Sequence, residues 1–216
     1  MKNNIILILG GSFDPVHIGH VEIAKFFCNI FKPCELRLIP AGCPWQKKKL
    51  FTETNDRLEM LNLAFSNWSF PLNIDLQEVN RIGPSYMVDT LKEIRSKKGN
   101  DTVLILLLGA DQLTNLHTWH NWKKLFSLTN ICFITRPNFS IEKSDFGDEL
   151  AEEIRNRTAT LKKISESSNG YIYIEKKLKI PISSTMIRVA VKNGLSPIKF
   201  LPQKVENYIK KNNIYR

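Results

Sequence analysis

Val103-Leu104-Ile105-Leu106-Leu107-Leu108 is apolar without interruption. A strand with one face in water alternates polar and apolar residues. A strand with no alternation must be covered on both faces, as in the interior of a parallel sheet flanked by helices. This apolar stretch belongs to a strand-like run at 102–108, and others occur at 5–9, 35–39, 72–76, 130–134 and 170–174. Helix-like segments separate them at 19–31, 54–66, 86–97, 119–127 and 147–166, and two more follow near 184–193 and 202–212. Strand–helix alternation with right-handed crossovers predicts an α/β fold built on a doubly wound parallel sheet. No repeat, low-complexity tract or linker divides the 216 residues. One domain over 1–216 is therefore expected, large enough to bury a core, with its helical part at about 183–216 packed on the same domain.

Ligands of such sheets bind at the carboxyl ends of the strands, near the point where strand order reverses. The segment leaving the first strand reads Gly10-Gly11-Ser12-Phe13-Asp14-Pro15-Val16-His17-Ile18-Gly19-His20. Glycines let a backbone turn sharply and bring its N–H groups close to an anion. A helix beginning at Ile18 or Gly19 adds its positive dipole end, and histidines three residues apart project on one side of it. The segment is neither a dinucleotide G-x-G-x-x-G fingerprint nor a P-loop, since Gly-Lys-Ser/Thr is absent, and it lacks the Glu and third His of a metalloprotease zinc site. Near the other end, Ile182-Ser183-Ser184-Thr185-Met186-Ile187-Arg188 places hydroxyl residues at a helix N-cap and an arginine one turn later. Arg188 falls on the side of Ser184 and Thr185, where it could grip a phosphate.

The formal charge of +10 suits an anionic partner. The aromatic–basic strand pattern of an RNA-recognition module is absent, so no nucleic-acid partner is expected. No apolar stretch approaches the length of a membrane span, and the short run at 5–9 leads straight into the glycine turn rather than into a cleavage site, so a cytoplasmic protein is expected. Cys28, Cys34, Cys43 and Cys132 form no C-x-x-C pair and have no His at zinc-finger spacing, which predicts free thiols and no structural metal.

The H-x-G-H turn and the I-S-S-T-x-x-R segment together are similar to the nucleotidyltransferase superfamily. The chain is too short for a typical class I aminoacyl-tRNA synthetase, which shares the first motif. Four further stretches narrow the resemblance: Pro40 to Lys47, Arg81-Ile82-Gly83-Pro84-Ser85-Tyr86-Met87-Val88-Asp89-Thr90-Leu91, Leu108-Gly109-Ala110-Asp111-Gln112 with Leu116 and Trp119, and Arg136-Pro137. With Leu201-Pro202 and Tyr208-Ile209 through Ile214-Tyr215-Arg216, nearly the whole chain resembles the bacterial nicotinate-nucleotide adenylyltransferase family.

That resemblance implies transfer of AMP from ATP to nicotinate mononucleotide, with Mg²⁺, giving nicotinate adenine dinucleotide and pyrophosphate. It implies that Gly10, Gly11, Ser12 and Phe13 line the ATP site, that His17 and His20 hold the phosphates, and that Ser183, Ser184 and Arg188 bind the departing polyphosphate. Lys47 matches the basic residue of a substrate loop, Gly109 and Asp111 the segment at the ribose hydroxyls, and Trp119 the aromatic residue over the pyridine ring. Ser85, Tyr86, Met87 and Arg136 fall on the nicotinate mononucleotide side. Two positions depart from the family pattern: Gln46 replaces a His, and Met87 replaces a Thr close to the nicotinate carboxylate. A thioether cannot donate a hydrogen bond. Two alternatives stay open: the same fold with another acceptor, either nicotinamide mononucleotide or phosphopantetheine, and a nucleotide-binding protein without turnover.

Overall fold

In the computed structural model, which describes residues 4–46, 49–135, 147–176, 181–197 and 199–216, the apolar runs assemble into one six-stranded sheet. The first half comprises β1 (Ile5–Gly11), α1 (Ile18–Phe31), β2 (Glu35–Pro40), α2 (Thr54–Ala64), β3 (Leu72–Ile74), α3 (Gln77–Asn80) and α4 (Met87–Lys98). The second comprises β4 (Val103–Gly109), α5 (Ala110–Thr114), a 3-10 turn at Leu116–Thr118, α6 (Trp122–Leu125), β5 (Asn130–Ile134), α7 (Gly147–Arg157), α8 (Leu161–Glu166), β6 (Ile172–Glu175), α9 (Ser184–Lys192) and α10 (Gln203–Lys211). Strands lie in the order β3-β2-β1-β4-β5-β6, and every pairing is parallel. The chain starts in the middle, winds out to β3, and returns to lay β4 beside β1. This is the doubly wound arrangement expected from the sequence, with its switch point between β1 and β4.

Period-two geometry explains the unbroken apolar strands. Val103, Ile105 and Leu107 face one core together with Ile5, Leu7, Leu9, Phe27, Met60 and Val205. Leu104, Leu106 and Leu108 face the other with Ile6, Ile8, Leu91, Ile94 and Phe133. Each fully buried aliphatic side chain stabilises the fold by roughly 1.5–3 kcal/mol relative to exposure. Residues after α9 join the first core through Leu201, Val205, Ile209 and Ile214, and Tyr208 Oη donates to Asp56 Oδ1 (2.8 Å), tying α10 to α2.

The structure differs from the sequence expectation where polar groups interrupt a helical pattern. The 147–166 segment is two helices rather than one. Thr158 bridges to Ile172, the Ala159 N–H donates to the Ile172 carbonyl (2.8 Å), and the Thr160 hydroxyl caps α8 by accepting from the Lys163 N–H (3.3 Å). The 72–76 strand shortens to Leu72–Ile74 because the Asp75 carboxylate turns back to accept from the Gln77 N–H (3.0 Å) and from Arg37 (3.0 Å). The 119–127 helix contracts to Trp122–Leu125 behind Asn121, whose φ of 51° is outside the helical region. No helix among the described residues is long and apolar enough to cross a membrane.

Candidate active site

A cavity of ≈ 260 Å³ opens at the carboxyl ends of β1, β4 and β5, where strand order reverses. Gly10, Gly11 and Ser12 line it from the end of β1, His17 and His20 from the start of α1, and Gly109 from the end of β4. Trp45 and Gln46 approach from the turn after β2, Ser85 and Met87 from the start of α4, and Trp119 and Thr135 from the far side. The helical start of α1 carries no acidic residue in its first turn, so its positive end is not neutralised locally.

The turn between β1 and α1 is built to hold the two imidazoles. His17 is the N-cap of α1, with extended backbone (φ −142°, ψ 170°), and His20 sits three residues into the helix. The His17 N–H donates to His20 Nδ1 (3.2 Å), and the two rings lie 3.8 Å apart at 30°. Because Nδ1 accepts, the neutral His20 ring carries its proton on Nε2, where it can be donated to a ligand. Phe13 lies beneath, 1% exposed, with its ring edge-on to His20 at 5.0 Å. Its φ of 48° lies in the left-handed region, which costs a bulky residue roughly 1–2 kcal/mol and persists only where surrounding contacts over-determine it.

Those contacts come from across the chain. Arg57, 1% exposed, donates from Nη1 to the carbonyls of Ser12 (2.9 Å) and Ala41 (2.8 Å), so one guanidinium spans the turns after β1 and β2. Arg188 Nη1 donates to the Asp14 carbonyl (2.7 Å), and Ser184 Oγ donates to the Pro15 carbonyl (2.9 Å). Arg188 also lies over the Phe51 ring at 4.2 Å and donates to Thr185 Oγ1 (3.1 Å).

On the opposite side a buried carboxylate organises the turn after β2. Glu78 Oε1 accepts from Thr90 Oγ1 (2.7 Å), and the Ser85 hydroxyl also bonds to this carboxylate. Burial pushes the Glu78 carboxyl above the usual carboxylate range, while the Thr90 bond, the Arg81 charge and the Ser85 bond pull it back. Ser85 Oγ in turn accepts from the Gly42 N–H (3.1 Å) and the Cys43 N–H (3.0 Å). Gly42 passes so close to the Glu78 carbonyl oxygen that a Cβ there would collide with backbone. The terminal methyl of Met87 lies 2.7 Å from where a Cβ on Gly10 would sit, too close for any side chain there without a shift. Tyr86 flanks the site, stacked on His120 (4.3 Å) and facing Trp45 (6.5 Å). The buried Trp119 Nε1 has no hydrogen-bond partner among the described residues.

Residues 8–190 match the cytidylyltransferase-like family model. A probable nicotinate-nucleotide adenylyltransferase from Herminiimonas arsenicoxydans is 42% identical over 211 residues, 98% of this chain and 96% of that one. The chain belongs to the nicotinate-nucleotide adenylyltransferase family. A second such relative, from Dechloromonas aromatica, is 36% identical over 97% of the chain and 96% of its own length. Among solved structures, the Plasmodium falciparum nicotinic acid mononucleotide adenylyltransferase complexed with NaAD shares the fold, with a TM-score of 0.74 at 22% identity over 99% of this chain and 98% of that one.

For a nicotinate-nucleotide adenylyltransferase, the placement of the expected residues is uneven. Gly10, Gly11, Ser12, His17, His20, Ser85, Met87, Gly109 and Trp119 line the cavity together. Phe13 supports it from below. Ser183, Ser184 and Arg188 do not line it, although the preceding Ile182 does: Ser184 and Arg188 bond the backbone of the β1–α1 turn, and Ser183 caps α9 by accepting from the Met186 N–H (3.2 Å). Lys47 and Arg136 lie outside the described residues, as does the Asp111 side chain. Sequence reasoning missed Arg57 and Glu78 as site residues, because a charged residue in a helix reads as solvated until the fold buries it. Asp14, inside the glycine–histidine turn, was missed as well. Its carboxylate and carbonyl bond Phe51, Thr52, Tyr215 and Arg188.

Proposed function

We propose that this chain transfers the adenylyl group of ATP to nicotinate mononucleotide, forming nicotinate adenine dinucleotide and releasing pyrophosphate. One observation carries the reading: two imidazoles at an uncompensated helix N-terminus, in a cavity at the sheet's switch point, in a chain of this family. A phosphate oxygen of the acceptor, already anionic at neutral pH, attacks the α-phosphorus. The bond from that phosphorus to the bridging oxygen breaks, and the electron pair leaves on pyrophosphate. No serine or cysteine nucleophile is required. The protein aligns the two reactants and stabilises charge on the α-phosphate and the leaving group.

His20 Nε2 supplies a donor for that charge, the positive end of α1 adds its field, and His17 shares the task. An arginine has five N–H donors, so Arg188 can hold Asp14 and Thr185 and still reach a departing pyrophosphate oxygen, with Ser183 and Ser184 beside it. Lys47 and Gln46 belong to the loop over the phosphates, Gly109 and Asp111 to the ribose, and Arg136 to the acceptor. Ser85 and Tyr86 shape the acceptor side, Ser85 through its hold on Gly42 and Cys43. Trp119 lies over the pyridine ring. No group of three or more His, Cys, Asp or Glu side chains able to hold a metal occurs among the described residues. In this reading Mg²⁺ enters with the substrate, chelated by ATP phosphates. A cytoplasmic setting, where ATP is abundant, accompanies it. Incubation with ATP, Mg²⁺ and nicotinate mononucleotide, followed by chromatography, tests the proposal: nicotinate adenine dinucleotide forms in step with pyrophosphate. Absence of the dinucleotide overturns it.

Acid specificity carries a separate prediction. With Met87 offering no donor, recognition of the ring carboxylate falls to backbone N–H groups at the start of α4. Met87→Thr adds a hydroxyl and is expected to raise the preference for nicotinate over nicotinamide mononucleotide about five-fold, roughly the net worth of one hydrogen bond. The ratio of kcat/KM for the two acceptors measures it. An unchanged ratio places carboxylate recognition away from position 87.

A further inference from the structure

Asp14 joins distant parts of the chain beside the two imidazoles. Its side chain is 1% exposed. Oδ1 accepts from the Tyr215 hydroxyl (2.6 Å) and from Thr52 Oγ1 (3.0 Å), and Oδ2 accepts from the Phe51 N–H (2.7 Å). The Tyr215 bond is the shortest of these, and its partners are 201 residues apart in sequence. Resting on the adenylyl-transfer reading above, we propose that Tyr215 is a positioning residue for that reaction: its bond to Asp14 holds the turn that presents His17 and His20.

Several independent features support this. A buried carboxylate is costly unless it is paired and fully bonded, so each donor to Asp14 helps decide where that residue rests. Arg57 supplies the compensating charge: burial lowers its pKa, and Asp14 is the foremost group raising it. Burial, followed by the bond to Asp14, pushes the Tyr215 phenol far above its ordinary value, so it remains a protonated donor at any working pH. Asn213 (φ 53°) and Tyr215 (φ 66°) both adopt left-handed backbone, which L-residues rarely enter unless surrounding contacts require it. Ile214 between them is buried in the first core and sets the point from which the ring reaches the turn. Asp14 lies three residues before His17, and displacing catalytic donors by even 1 Å can cost on the order of 100-fold in rate.

Tyr215→Phe removes only the hydroxyl. It is expected to lower kcat about ten-fold while KM for ATP stays within about three-fold. The chain has four histidines, so their imidazole resonances can be followed individually by NMR. Those of His17 and His20 shift in the variant, and those of His117 and His120 do not. Placing 4-aminophenylalanine at 215 restores a donor and the wild-type rate. Wild-type kcat with unmoved resonances in Tyr215→Phe overturns the proposal. So does loss of the fold in that variant, or failure of the amino analogue to recover activity, either of which makes Tyr215 merely structural. No turnover in the wild-type protein would remove the adenylyl-transfer reading, while the imidazole spectrum still decides whether Tyr215 positions the turn.

Discussion

His20→Ala lowers kcat about 1,000-fold while ATP affinity falls less than about ten-fold, because a donor aimed at charge that develops in the transition state contributes far more there than in the ground state. The substitution also removes Nδ1 as acceptor for the His17 N–H, a local cap worth about 1 kcal/mol of stability. His20→Asn separates the two parts. Its side-chain oxygen can accept the His17 N–H, but it places no donor at the Nε2 position. The Asn variant is expected to recover stability and to remain as slow as the Ala variant. Steady-state kinetics with calorimetric titration of ATP checks both. Equal losses in binding and turnover would make His20 a binding residue only.

Arg95→Ala is the largest expected effect on stability. The Arg95 guanidinium donates to the carbonyls of Leu128 (2.7 Å), Thr102 (2.6 Å), Ser168 (2.6 Å), Gly99 (3.1 Å) and Asn100 (3.2 Å). These carbonyls lie just before β4, β5 and β6, so one side chain fastens the amino ends of three neighbouring strands. Burial lowers the Arg95 pKa, the desolvation cost of a cation that the five carbonyl acceptors offset. Removing it strands several acceptors and is expected to cost about 3–5 kcal/mol, read from urea unfolding. Arg95→Lys rescues only part, since three donors on a flexible stem cannot reproduce the fork. The cavity lies at the other ends of the strands, so kcat per folded molecule stays near wild type. A loss below about 1 kcal/mol would show the carbonyls to be satisfied by water instead.

Much of this was legible in the sequence because the strongest signals are local. The unbroken run at 103–108 required cover on both faces, and its odd and even residues indeed divide between two cores. The glycine turn with His17 and His20 announced itself by composition and by its place after a strand. Short elements were not legible: α3 and α5, of four and five residues, carry too little periodicity to register. The break between α7 and α8 depends on a bridge to Ile172, which only the folded sheet supplies. The supports of the site were hidden for the same reason. Nothing near Arg57 in sequence indicates that it will bond Ser12 and Ala41, and Tyr215 meets Asp14 only once the last helix docks.

Pyrophosphate release from ATP and Mg²⁺, compared across nicotinate mononucleotide, nicotinamide mononucleotide and phosphopantetheine, tests the central claim most directly. Rapid release with the nicotinate form, slower release with the amide and none with phosphopantetheine is the predicted result. Equal rates with the acid and the amide, or release that requires phosphopantetheine, would contradict it.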